Sequence, residues 1–229
     1  MSSQRLLLFD IDGTLIRTAG AGKMAMERAY MDVFGKTDGL QSISMMGRMD
    51  PSILREALKN HHIPWTPERE HVFRRTYFGI IKEEIAKPRD GKKLCPGVLP
   101  LLKALQSESR FVLGLLTGNW EYSGRVKLEY FGINDFFPFG AFAEDSLYRE
   151  DLVPAALNRY HEQYGNYIPD KNVYVIGDTP LDIQCAKPHG VKTIAVATGF
   201  HSSEDLADHH PDYVFENLHS TPDVLKIFE

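Results

Sequence analysis

Leu6-Leu7-Leu8-Phe9-Asp10-Ile11-Asp12-Gly13-Thr14 is the stretch that decides how this chain folds. Four apolar residues run without a polar break and stop at a pair of carboxylates, a glycine and a threonine. A continuous apolar run of this length suits a parallel strand covered by helices on both faces. Asp and Gly directly after it favour a turn at the strand's carboxyl end. The pattern recurs at residues 111–116, 173–176 and 193–197, with a weaker fifth run at 139–142. Helical patterns at 96–106, 122–131, 151–164 and 181–189 alternate with these runs. Such alternation predicts an α/β fold, a Rossmann-like doubly wound parallel sheet.

The rhythm breaks between the first two runs. Residues 18–92 show apolar stripes at helical spacing instead: Met26, Tyr30, Val33 and Phe34; Ile53, Leu54, Ala57 and Leu58; Phe73, Tyr77, Ile80, Ile81 and Ile85. Ala19-Gly20-Ala21-Gly22 stands before the stripes and Pro88-Arg89-Asp90-Gly91 after them, the composition of hinge-capable linkers. The expected division is an α/β core of residues 1–17 and 93–229 interrupted by a helical cap, 18–92.

Composition narrows the function classes. With 229 residues, 43% of them hydrophobic, the chain can bury a sizeable core without disulfide or metal staples. The formal net charge of -5 argues against a nucleic-acid partner. No apolar run approaches the roughly 18 residues of a membrane span, so no membrane partner is expected. The apolar stretch near the N-terminus is too short for a signal-peptide core. Cys95 and Cys185 lie far apart, which excludes a disulfide framework or structural zinc site and fits a reducing, cytoplasmic location. The adjacent pairs His61-His62 and His209-His210 cannot face one metal from a helix, and the histidines read as structural or solvated.

The chemistry lies at the ends of the runs. After the first comes Asp10-Ile-Asp12-Gly-Thr14, after the second Thr117-Gly118-Asn119, and after the run at 173–176 Gly177-Asp178-Thr-Pro-Leu-Asp182. Ala197-Thr198-Gly199 closes the run at 193–197. Open parallel sheets bind ligands at the carboxyl ends of their strands. There, four carboxylates, several hydroxyls and glycine turns would share one crevice. Crowded carboxylates demand protons or a cation, and hard oxygen ligands suit Mg²⁺. Hydroxyls and turn amides supply donors for phosphate oxygens. Metal, nucleophilic carboxylate and phosphate donors together specify phosphoryl transfer.

In order and spacing, these three motifs resemble the haloacid dehalogenase-like phosphohydrolases, and most of all their phosphoglycolate phosphatase-like branch with a helical cap after the first strand. The resemblance covers nearly the whole chain. It implies that Asp10 is the nucleophile that forms an aspartyl-phosphate. It implies that Asp12 is the general acid for the leaving alcohol and then the base for water. Asp10, the backbone carbonyl of Asp12 and Asp178 would hold Mg²⁺, with Asp182 supporting them. Thr117, Gly118 and Asn119 would bind the phosphate, and Arg48, in the loop Met45-Met46-Gly47-Arg48-Met49-Asp50, would face the substrate. Asp12 also discriminates within the family, because branches that displace halide lack this second aspartate.

One motif departs from the family pattern. Where the family places a lysine before the helix leading to the run at 173–176, this chain reads Leu147-Tyr148-Arg149-Glu150-Asp151. Arg149 is the expected stand-in, although a guanidinium is not geometrically equivalent to an ammonium. Lys171 would sit at the wrong end of the sheet. The function expected is a Mg²⁺-dependent phosphatase acting on a small phosphorylated metabolite. The alternatives are a phosphosugar mutase of the same family, a non-enzymatic aspartate phosphoacceptor, against which Asp12 and the insertion argue, and a phosphoprotein phosphatase, whose bulky substrates a large cap would obstruct.

Overall fold

A computed structural model describes residues 4–229; positions 1–3 of the expected core lie outside them. The strands are β1 (Arg5–Phe9), β2 (Ile16–Arg17), β3 (Lys93–Leu94), β4 (Phe111–Leu116), β5 (Phe139–Ala141), β6 (Val173–Gly177), β7 (Lys192–Val196) and β8 (Tyr213–Phe215). The helices are α1 (Ala21–Phe34), α2 (Asp50–Asn60), α3 (Pro67–Ala86), α4 (Val98–Gln106), α5 (Glu121–Tyr130), α6 (Leu152–Tyr164), α7 (Pro180–Ala186), α8 (Ser203–Ala207) and α9 (Thr221–Lys226).

Six strands form one parallel sheet in the order β5-β4-β1-β6-β7-β8. This is the α/β, doubly wound architecture expected from the apolar runs. β1 is central: Leu6 pairs with Val112 on one side and with Val173 on the other. Its side chains show why the run had to be apolar throughout. Leu6 and Leu8 enter the core layer shared with α1, α2 and α3, whereas Leu7 and Phe9 enter the layer containing Leu101, Leu105 and Phe228. Chain order diverges on the two sides of β1, so a crevice opens at its carboxyl end.

Two strand features add to the sequence reading. β8 extends the sheet by three half-buried residues at its edge. β2 and β3 form a two-residue antiparallel ribbon at the entry to and exit from the helical segment, with Ile16 opposite Leu94. Between β2 and β3 the regular elements are the three helices α1–α3. The apolar stripes of α1 and α3 meet, with Tyr30, Phe73 and Tyr77 buried along the seam. Gly20 and Gly35, both left-handed, bound α1, and Thr66 caps α3 by accepting from the Arg69 N–H. The aromatic seam continues onto the sheet domain, where Tyr77 lies 5.8 Å from Trp120 between ring centroids.

Candidate active site

Asp10 follows β1 and is still tied to the sheet, its N–H donating to the Ile176 carbonyl at 2.9 Å. The chain then reverses over residues 11–16. Gly13 makes this possible with φ +90°, and a Cβ there would lie 2.3 Å from the Asp178 carboxylate. Asp178 stands at the end of β6 and accepts from the Thr14 hydroxyl at 3.0 Å. Asp182, one turn into α7, closes a capping box by accepting from the Thr179 N–H at 3.0 Å and its hydroxyl at 2.7 Å. Residues remote in sequence thus become neighbours because β1 and β6, adjacent strands of one parallel sheet, end together.

Arg149 completes this cluster. It lies in a single 3₁₀ turn before α6 and is buried. One Nη donates to Asp10 at 2.9 Å and to Asp182 at 2.5 Å, and the other to the Gly47 carbonyl at 2.7 Å. Lys171 is exposed and lies just before β6, at the opposite end of the strand from Asp178.

Asp10 and Asp182 pair with this one guanidinium, and the buried Asp178 lies beside them. Burial, with the Asp182 charge next in weight, pushes Asp10 up to about 7. Burial and the Asp10 charge push Asp178 well above the usual carboxylate range. Oxygens of Asp10, Asp178 and Asp182 all lie within 4.8 Å of one another. An all-oxygen acidic set with too little positive charge fits a hard divalent cation. Asp12 is not part of it through its side chain.

The Asp12 carboxylate turns to a second group. Its Oδ2 accepts from Lys127 Nζ at 2.6 Å and from Asn119 Nδ2 at 3.0 Å. Asn119 Nδ2 also donates to the Thr117 hydroxyl at 2.8 Å, and Asn119 Oδ1 accepts from Lys127 at 2.6 Å. Lys127, on α5, escaped the sequence reading because a lysine in an amphipathic helix ordinarily reads as solvated. Its spacing carried a signal: Ser123, Gly124, Lys127 and Leu128 form the buried face of that helix.

The loop before α2 presses on the same region. A Cβ at Gly118 would come within 2.1 Å of the Arg48 carbonyl, and the Asp50 N–H donates to the Gly118 carbonyl at 2.7 Å. The Arg48 guanidinium pairs with Glu56 at 2.6 Å and the Ser44 carbonyl at 3.1 Å, so it is held within the helical segment while lining the crevice. Asp50 accepts from the Trp120 N–H at 2.9 Å and caps the amino end of α5 from another part of the fold. Together these elements line a cavity of about 740 Å³ that reaches Asp10, Asp12, Asp178, Thr117 and Asn119. That volume suits a small molecule. Burial pushes the Cys95 thiol up to about 11 and that of Cys185 up to about 12, so neither is a ready nucleophile.

A family model described as haloacid dehalogenase-like hydrolase matches residues 7–196. A phosphoglycolate phosphatase of Pseudomonas fluorescens is 26% identical over 218 residues, covering 93% of this chain and 77% of that protein. Pyrophosphatase PpaX of Halalkalibacterium halodurans is 25% identical over 230 residues, covering 96% and 95%. Among solved structures, a haloacid dehalogenase-like family hydrolase from Streptococcus pneumoniae superposes with a TM-score of 0.70 at 22% identity, over 100% of both chains. No helix among the described residues is long and apolar enough to cross a membrane.

Proposed function

The chain belongs to the haloacid dehalogenase-like hydrolase family and is a phosphatase of that family; on that premise we propose that it hydrolyses a small phosphorylated metabolite with Mg²⁺, through an aspartyl-phosphate on Asp10. The observation that carries this reading is the pairing of Asp10 with Arg149 beside Asp178 and Asp182, on the wall of a cavity of about 740 Å³. Arg149 takes the place of the usual lysine, orienting Asp10 and offsetting the charge that gathers when a phosphate arrives. The Thr117 hydroxyl and the backbone N–H groups of Gly118 and Asn119 would bind the phosphate oxygens, since the Asn119 side-chain amide is already donated to Asp12 and Thr117. Asp10, the Asp12 carbonyl and Asp178 would hold Mg²⁺, with Asp182 keeping Arg149 and the α7 turn in place. Bound there, the ion supplies positive charge for the transferring phosphoryl group.

Residues 18–92 act as a cap that excludes water and selects the substrate, with Arg48 at its inner loop. The core is 1–17 and 93–229. A small, freely diffusing phosphate ester is the partner that a cavity of about 740 Å³ admits, rather than a folded phosphoprotein. Two buried, unpaired cysteines suit a reducing cytoplasm.

The test is a panel of phosphorylated metabolites assayed for released phosphate with Mg²⁺, with Mg²⁺ chelated, and with Asp10→Asn as the blank. The expected outcome is Mg²⁺-dependent phosphate release that the blank lacks. Isomerised sugar phosphate without net phosphate release would replace this reading with the mutase alternative, and turnover indifferent to chelation would remove the metal from it.

A further inference from the structure

Lys127 stands in an expensive position. Its side chain is 4% exposed, and an ammonium taken from water is unfavourable unless an anion and hydrogen bonds meet it. The ion-pair partner it has among the described residues is Asp12. A lysine only donates, so Asn119 must turn its carbonyl oxygen to Lys127 and its amide nitrogen to Asp12 and Thr117. Lys127 therefore fixes the orientation of Asn119 as well as that of Asp12. Both donors fall on one oxygen of Asp12, Oδ2. Among the described residues none falls on Oδ1, and the Asp12 side chain remains 40% exposed toward the cavity.

We propose that Lys127 is a positioning residue that holds Asp12 by Oδ2 and so presents Oδ1 to the leaving oxygen of the substrate. This rests on the acid–base role given to Asp12 above. In the first step an Asp10 oxygen bonds to phosphorus, the bond from phosphorus to the leaving oxygen breaks, and the proton on Asp12 Oδ1 passes to that oxygen. In the second step a water oxygen bonds to phosphorus, the bond from phosphorus to Asp10 breaks, and the water's proton returns to Oδ1. Phosphate leaves and the enzyme is restored. Freed to rotate, the Asp12 carboxylate would spend much of its time with neither oxygen on the leaving group.

The experiment uses leaving-group dependence, which a purely structural role would not move. kcat/KM reports the steps up to phosphorylation of Asp10, where an alkoxide must be protonated but a 2,4-dinitrophenolate need not be. Lys127→Met is expected to lower kcat/KM for the best alkyl phosphate of the panel by roughly a hundredfold, while 2,4-dinitrophenyl phosphate loses under about threefold. Lys127→Arg keeps a buried charge and a donor, and is expected to show the same bias at smaller amplitude; it serves as the test if the methionine variant does not fold. Equal losses on both substrates, or no loss on either, would overturn the proposal. Asp12→Asn separates the two layers of the argument. If it shows the bias and Lys127→Met does not, the positioning role alone falls. If Asp12→Asn shows no bias, the acid role falls and takes the positioning role with it.

Discussion

Two buried acidic centres in this protein are treated in opposite ways. At the ends of β1 and β6, Asp10, Asp178 and Asp182 cluster about the guanidinium of Arg149, which pairs with Asp10 and Asp182, and burial pushes Asp10 up to about 7. At the foot of α3, Glu84 is also covered, but close to the surface and by cations in excess. It accepts from Lys87 and Arg89 and meets Arg28 at 3.4 Å, while Lys92 caps the Ile85 carbonyl at 2.5 Å. The hydrogen bond from Lys87, with Arg89 assisting, holds Glu84 down to about 2 against its burial. The clasp around Glu84 is complete as it stands and ties residues 87–92 to the helix they leave. The cluster around Asp10 gathers three carboxylates about one cation, and its perturbed carboxyls mark it as the candidate functional centre.

The largest way to break this contrast is to neutralise Asp10. Asp10→Asn removes the proposed nucleophile and one of the crowded carboxylates together. Turnover of any substrate in the panel should fall by about four orders of magnitude or more, while the melting temperature without Mg²⁺ stays level or rises. Phosphate release and thermal melting in chelator check the two halves. A variant that lost activity only because it unfolded would remove the contrast.

Supplying the missing charge is the next. Mg²⁺ bound to the native state should raise the wild-type melting temperature, by RT ln(1 + [L]/Kd) expressed as degrees, about 2–4 °C for each kcal/mol in a chain of this length. Asp178→Asn should abolish that rise. Melting curves over a Mg²⁺ series decide it, and an unshifted wild type would contradict the cation reading.

How much of these two centres could be read beforehand differs for a physical reason. The strand ends were legible because the apolar runs fix where the chain turns, and Asp10, Asp12, Asp178 and Asp182 follow those turns directly. Arg149 was legible only as a cation in the right interval, and the structure sets it against Asp10 and Asp182. Lys127 and Asp50 were not read as site residues. Each belongs to a helix whose pattern gives an ordinary role, a solvated lysine and a first-turn acid, and each acquires its partner only when separate elements converge. β8 escaped because three half-buried residues at an edge leave little periodicity to read.

The Glu84 clasp gives a smaller and purely structural effect. Its carboxyl is held below its unfolded value, so its stabilisation is full above about pH 4.5 and is lost as pH falls toward about 2. Glu84→Gln should cost about 1–2 kcal/mol at pH 7. That cost should shrink through the acid range, as denaturant titrations at stepped pH would show. Activity per folded molecule should change little by comparison, since the clasp touches no residue at the strand ends.

Asp50 tests whether the contrast extends to a third acid, one that joins the two regions. Burial is the main cause that pushes it up to about 7, the Asp12 and Glu144 charges add to this, and Lys127 and the Trp120 N–H oppose it. A carboxyl whose folded value is raised stabilises most below its unfolded value and loses that contribution as pH rises through about 7. Above that point an ionised Asp50 sits buried between α2 and the amino end of α5. Asn is the neutral isostere: its carbonyl oxygen can still accept from the Trp120 N–H and the Ser123 hydroxyl, both of which fall on the one carboxylate oxygen Oδ2. Asp50→Asn should therefore match the wild type near pH 3.8, gain on it as pH rises toward about 7, and exceed it near pH 9 by on the order of 1 kcal/mol, or about 2–4 °C in melting temperature. The Glu84 variant should diverge from the wild type as pH rises from acid, and in the opposite direction. Parallel pH–melting curves for the two variants would mean that the acid at the inner loop is a clasp like Glu84, satisfied by Lys127, and not a strained contact kept for the site.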